Sequence, residues 1–385
     1  MNNNNLEILS CKNNYKLTSL DLSNNTNLKE LTCIGNELQL TGELKNYNAL
    51  EKLILVIYKA GTIEAKGSPL TVFDCKMGKF SLIDISGCDK LEDLKIERTA
   101  YYGDDGEESS ILDLDGCLSL KSIDLNGFPF FLNSLDISSC TSLKKIRYYG
   151  DIDISKNTEL EEVYVENIIN DIKNNSKLKI LHCGLIEDVE TVDLSNQTQL
   201  EDLSCTIANT PIDISKCNTL KICSIKNYSE DVTYTNNMNV NGLPLLESFS
   251  AHISKSGNIT FNIANCPALK KCRTNHAVAL NISDCNSLEE LICTESNTFN
   301  ITRCPNLILL ECSRSPISTL SIEPFTKLQT LYCENCLLKE LDLRKNKELH
   351  SLQCYGNPDL QYIYVTHDIP HKSIGDARLV YSSPE

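Results

Sequence analysis

Leucine recurs along this chain on a step of about twenty-one residues, each time opening the same short alternation of apolar and polar positions. In Leu28-Lys-Glu-Leu31-Thr-Cys33 the apolar residues stand at positions one, four and six, and this frame begins about seventeen times between Leu6 and Leu349. A second block, as in Leu20-Asp21-Leu22 or Leu341-Asp342-Leu343, lies about seven residues before most of the frames. Alternation is the period of a β-strand, so Leu31 and Cys33 turn inward while Thr32 turns outward, and Asp21 points out between two buried leucines. The pattern predicts a mainly β architecture with two short parallel strands per coil, on different faces, and little helix. One coil cannot bury its leucines alone, whereas stacked neighbours can.

The step is broken at Glu97–Ser110, Gly127–Asn133, Lys226–Asn237 and His252–Gly257. These insertions follow the first strand and are expected to emerge along one edge of the stack, where repeat arrays carry binding loops. From Tyr362 the frame fades, and Pro370 and Pro384 appear. The organisation expected is therefore a repeat array over residues 1–365 and a C-terminal cap over residues 366–385.

Composition agrees with one continuous core. The 385 residues are 41% hydrophobic with no Trp and three Met, so Leu, Ile, Val and Cys must fill the interior. A net charge of −16 argues against a nucleic-acid partner, which needs clustered Lys and Arg to displace counterions. No apolar run is long enough to span a bilayer, so membrane insertion is not expected. Residues Met1 to Asn5 are polar, where a signal peptide would be basic and then apolar.

The frame Leu-x-x-Leu-x-Cys-x-x-Asn-x-Leu-x-x-Leu-Asp-Leu-Ser-x-Asn resembles the cysteine-containing leucine-rich repeats of the internalin family and of gut-bacterial surface proteins. The resemblance covers residues 6 to about 365 and implies a right-handed leucine-rich-repeat solenoid of about seventeen coils. It also implies a bacterial cell-surface or secreted adhesion module, a monomer that binds a protein or glycan. Two departures stand out: no N-terminal helical cap or anchor motif is visible, and the ninth-position Asn remains only at Asn14, Asn36 and Asn357. A passive spacer holding another domain off a surface is the alternative role, and buried reduced thiols would also suit a cytoplasmic setting.

Of the nineteen cysteines, nine, including Cys33, Cys75 and Cys205, hold the inward sixth position. Seven more, among them Cys88, Cys117 and Cys140, stand three residues before a frame leucine. Stacked side chains run parallel and do not converge, which disfavours disulfides, so free buried thiols are expected. Cys333-x-x-Cys336 has half the spacing of a zinc site but lacks a second ligand pair, and no metal or other cofactor is expected. His182-Cys183 is not a nucleophile pair, because neighbours on a strand face opposite ways. The other histidines are scattered, and no phosphate loop or nucleophile elbow is present, so the chain reads as no enzyme. An outward column of acids (Asp21, Glu43, Asp84, Asp113 and onward) gives way to Asn239, Asn262, Asn281 and Asn300. Turn capping by each carboxylate accounts for it, with Ca²⁺ collection as the sharper alternative.

A partner would meet the outward positions of the first strand: two, three, five and seven of the frame. One coil presents Lys144, Lys145, Arg147 and Tyr149, and the next presents Glu161, Glu162, Tyr164 and Glu166. Tyr101, Tyr102 and Phe130 lie in the insertions, and Tyr332 and Tyr355 supply aromatics near the end. Aromatic and Arg side chains are the usual anchors of interfaces, so the candidate contact residues are Tyr101, Tyr102, Phe130, Arg147, Tyr149, Tyr164, Tyr332 and Tyr355.

Overall fold

The computed structural model describes residues 3–14, 16–35, 38–41, 46–59, 61–98, 110–126, 132, 134–186, 192–207, 212–227, 235–254 and 258–381. Among these residues every regular element is a short strand and there is no helix, so no helix is long and apolar enough to cross a membrane. The chain divides into two units, Met1–Asp188 and Val189–Glu385.

In the first unit the frame strands pair in parallel, coil upon coil, from Ile8–Cys11 through Glu30–Ile34 and Lys52–Lys59 to Glu162–Ile168 and Ile180–His182. Their fourth positions form one inward row, Leu9, Leu31, Leu53, Phe73, Leu94, Ile123, Ile146, Val163 and Leu181. From Leu31 to Leu181 this row is fully buried. The row holds because register is fixed by pattern: a slip of one residue would bring Thr32 or Arg147 inward. In the second unit the same ladder runs from Asp202–Thr206 to His371–Ser373, with Leu203, Cys223, Phe249, Cys272, Leu291 and Leu310 in the inward row.

The second ladder is discontinuous. In the first unit it holds Ser19–Asp21 with Gln39–Thr41, and Thr62–Glu64 with Leu82–Asp84 and Ile111–Asp113; in the second it holds Val192–Asp193 with Ile212–Asp213, the four strands from Thr235–Asn241 to Thr298–Thr302, and Glu340–Asp342 with Tyr362–Val365. Around Asp136, Asp153 and Asp171 most of the block is turn, and side chains link the coils there. Asn157 Nδ2 donates to the Ile137 and Cys140 carbonyls at 2.8 and 2.9 Å, and Asn175 does the same to Ile154 and Asn157. The stretch expected as a cap adds a strand to each ladder, His371–Ser373 beside Ser351–Gln353 and Arg378–Tyr381 beside Tyr362–Val365.

All nineteen cysteines are free thiols, and all are buried except Cys11 and Cys183, which are half-buried. Cys11 is partly open because its strand has a neighbour on one side only among the described residues. The thiols three residues before a frame leucine share the position of Asn157 and act similarly: Cys88 and Cys117 Sγ each lie 3.2 Å from a carbonyl of the preceding coil. Near the end, the ninth position does likewise. Ser315, Cys336 and Asn357 reach the carbonyls of Cys293, Cys312 and Cys333. At Ala65, Ile85 and Ile137 the carbonyl already accepts a turn N–H, so the donor from the next coil adds a second hydrogen bond that ties the two coils together.

The outward acids are turn caps. Asp21, Asp84, Asp136, Asp153 and Asp213 each accept the backbone N–H two residues on at 2.8–3.0 Å, and Asp342 also receives the Arg344 guanidinium. The Ser23 hydroxyl and then its N–H hold the Asp21 carboxyl below the usual range, and the Arg344 guanidinium and then its N–H do so for Asp342. Where Asn takes over, the amides form their own ladder, with Asn281 donating to Asn262 and Asn262 to Asn239 at 2.9 and 3.1 Å.

Candidate functional site

The outward face of the first ladder is built from frame positions two, three, five and seven, which a parallel register stacks into rows. Position two alternates in sign over most coils, broken in the first unit at Thr71 and at the successive Lys121 and Lys144. Lys29 meets Glu7 at 2.9 Å, and Glu161 lies between Lys144 at 3.2 Å and Lys179 at 2.6 Å. The two lysines hold the Glu161 carboxyl below its usual range through hydrogen bonds and charge. In the second unit Lys221 pairs with Glu201 at 2.7 Å. Like charges directly across a ladder would repel, and where the signs alternate the contact becomes an attraction.

Position five of the first unit carries a different arrangement. Arg147 is in register with Tyr164, and Tyr164 with His182. The guanidinium carbon stands 5.1 Å from the Tyr164 ring centroid, Lys145 Nζ stands 5.9 Å from it, and the His182 ring meets Tyr164 edge-on at 5.1 Å. Lys145 is also paired to Glu162 at 2.7 Å. Cation–π contact of this kind contributes roughly 0.5–1 kcal/mol at an exposed site and holds the ring in one orientation. Tyr149, at position seven, is 49% exposed, whereas its neighbour Tyr148 is inward and buried.

The sequence candidates therefore separate. Arg147 and Tyr164 are brought together, with His182 as a third member that the sequence reading left out because it weighed that residue only as a partner for Cys183. Tyr332 and Tyr355 belong to the second unit, Tyr332 half-buried in the ladder and Tyr355 exposed. Tyr101, Tyr102 and Phe130 lie outside the described residues. Among the described residues, no group of three or more His, Cys, Asp or Glu side chains is gathered as for a metal ion.

Farther along the second unit the rows change. Glu290 accepts both Lys271 and Arg273, the latter through Nε at 3.1 Å, and Glu295 takes Arg314 at 3.0 Å and His276 at 3.3 Å. One coil later the outward residues at positions two and three are Ile308 and Leu309, and the charge alternation stops. Sequence reasoning passed over this patch because it searched for aromatics and charges; the missing charge at position two was the available signal.

No family model matches the sequence, and no curated protein is similar to it. Solved structures of the same architecture do match. A leucine-rich-repeat protein of Leptospira interrogans is 16% identical with a TM-score of 0.50, covering 92% of this chain and 92% of its own. A plant peptide hormone receptor, RGFR1, in complex with RGF2, is 15% identical with a TM-score of 0.50, covering 92% of this chain and 73% of its own. The functional domain of InlJ from Listeria monocytogenes, which includes a cysteine ladder, is 21% identical with a TM-score of 0.44. This chain spans 64% of that domain's length, and 94% of this chain is covered. Parallel ladders with inward leucines and outward polar rows define a β-solenoid of repeats. The chain has the leucine-rich-repeat fold.

Proposed function

We propose that this chain is a non-catalytic binding scaffold that recognises a protein or glycan through the outward residues of its first ladder, as a bacterial surface or secreted adhesion module. The observation that carries this reading is the Arg147–Tyr164–His182 group: aromatic and guanidinium side chains fixed on a rigid sheet beside the exposed Tyr149. Such anchors lose little conformational freedom when a partner arrives, which favours affinity. Surrounding lysines are already paired with glutamates, so the rim contributes to orientation more than to attraction.

Partner capture from host-cell extract, together with a glycan array, tests the proposal. The combined Tyr149→Ala and Tyr164→Ala variant should lose the captured ligand while melting at nearly the parent temperature. Unchanged affinity in that variant rejects these residues as anchors.

A further inference from the structure

The rows of the second unit carry a feature that the scaffold reading does not use. Ile292, Glu311 and Tyr332 are consecutive in the position-five row, and Leu309 is paired with Thr330 in the row beside it. Ile308 occupies position two of the same coil, where preceding coils carry Lys270 and Glu289. These aliphatic side chains face outward and are half-buried. An aliphatic patch on the solvent side of a sheet leaves part of its apolar area in water after folding, and such patches mark interaction surfaces.

The patch surrounds a carboxylate. Glu311 lies between Ile292 and Tyr332, and neither it nor Glu334 is in an ion pair among the described residues. The nearby cations are committed elsewhere, Arg314 to Glu295 and Arg273 to Glu290. Partial burial and the charge of Glu334 push the Glu311 carboxyl up, while Arg314 and Arg273 act against this. A carboxylate in that position is stabilised by an incoming cation.

Resting on the scaffold reading, we infer that the face formed by Ile292, Ile308, Leu309, Glu311, Tyr332 and Glu334 docks a basic amphipathic polypeptide segment, its lysine or arginine on Glu311 and its aliphatic side chains on Leu309 and Ile308. Charge complementarity selects this occupant: the chain is strongly acidic, and here its carboxylates lack the lysine partners that neutralise them in earlier coils. An acidic segment would meet repulsion from both glutamates, and an uncharged one would leave Glu311 half-desolvated without compensation.

The test is fluorescence anisotropy on the full chain with three labelled decapeptides: alternating leucine and lysine, alternating leucine and glutamate, and an all-lysine peptide with half of its side chains acetylated to match the first in charge. The leucine–lysine peptide should bind, and Glu311→Gln and Leu309→Ser should each weaken it by about fivefold or more. Glu311→Lys should abolish it, with melting temperatures confirming that each variant is folded. Equal binding of the charge-matched lysine peptide, equal binding of the glutamate peptide, or indifference to both Glu311→Gln and Leu309→Ser overturns the inference. If the Tyr149/Tyr164 variant loses a captured ligand while the Glu311 variants change nothing, the scaffold reading stands and this one falls.

Discussion

Asn157 and Cys140 occupy the same place on consecutive coils and meet the same need. The amide of Asn157 donates to the Ile137 carbonyl at 2.8 Å, and the Cys140 thiol lies 3.8 Å from the Leu114 carbonyl. Asn157 also takes the carbonyl of Cys140 itself. A column of donors of unequal strength thus runs through the interior, and the difference in strength is measurable.

Replacing Asn157 with leucine removes the second hydrogen bond from each of two buried carbonyls, which keep only the N–H groups of Cys140 and Leu143, at about 0.5–1.5 kcal/mol for each bond lost. Cys140→Val removes one weak donor at nearly constant volume and should cost under about 1.5 kcal/mol. Urea midpoints should fall further for Asn157→Leu than for Cys140→Val; the reverse order contradicts the donor column.

Thiol reactivity should follow exposure. Cys11 and Cys183 are half-buried, while the other seventeen are buried. A maleimide reagent on native protein should label those two first, because the thiolate is the nucleophile and burial disfavours it. Peptide mapping that finds Cys205 or Cys272 labelled as fast as Cys11 would count against the inward assignment.

Alkaline pH should weaken the fold. Burial pushes the thiols of Cys117, Cys205 and Cys217 up to about 12 and that of Cys140 to about 11, from an ordinary value of 9.0. Groups with a raised folded-state pKa stabilise fully below the unfolded value, and that contribution is lost as pH rises toward the folded value. Melting temperature should therefore decline from pH 9 upward, more steeply than in a variant with several buried cysteines changed to valine or alanine. Parallel curves for the two proteins would show that other groups govern the loss.

Glu161→Lys would place a cation between Lys144 and Lys179 and, with Lys121 before them, make four in succession. A destabilisation of about 1 kcal/mol is expected, as is usual for exposed pairs, and added salt should recover part of it. A loss insensitive to salt would assign it to packing instead of charge.

Much of this was legible in the sequence. The inward row from Leu31 to Leu181 follows from the period of two within the frame, and the Arg147–Tyr164 contact follows from their shared fifth position. The buried roles of Asn157, Asn175 and Asn346 were not, because asparagines in an Asn-rich chain read as turn residues. Only their alignment with Cys140 and Cys217 gives them away. Where the ninth-position Asn is missing, Ser315 and Cys336 donate in its place, which a search for the amide alone does not find.

The outward face of the first ladder is the surface proposed to meet a partner. A photo-crosslinking residue placed singly at Tyr164 and Leu309, and at Asp153 and Asn281 on the opposite block, measures this directly once a ligand has been captured. Crosslinks from Tyr164 or Leu309, with none from Asp153 and Asn281, are the predicted result. Crosslinks confined to Asp153 and Asn281 would contradict it.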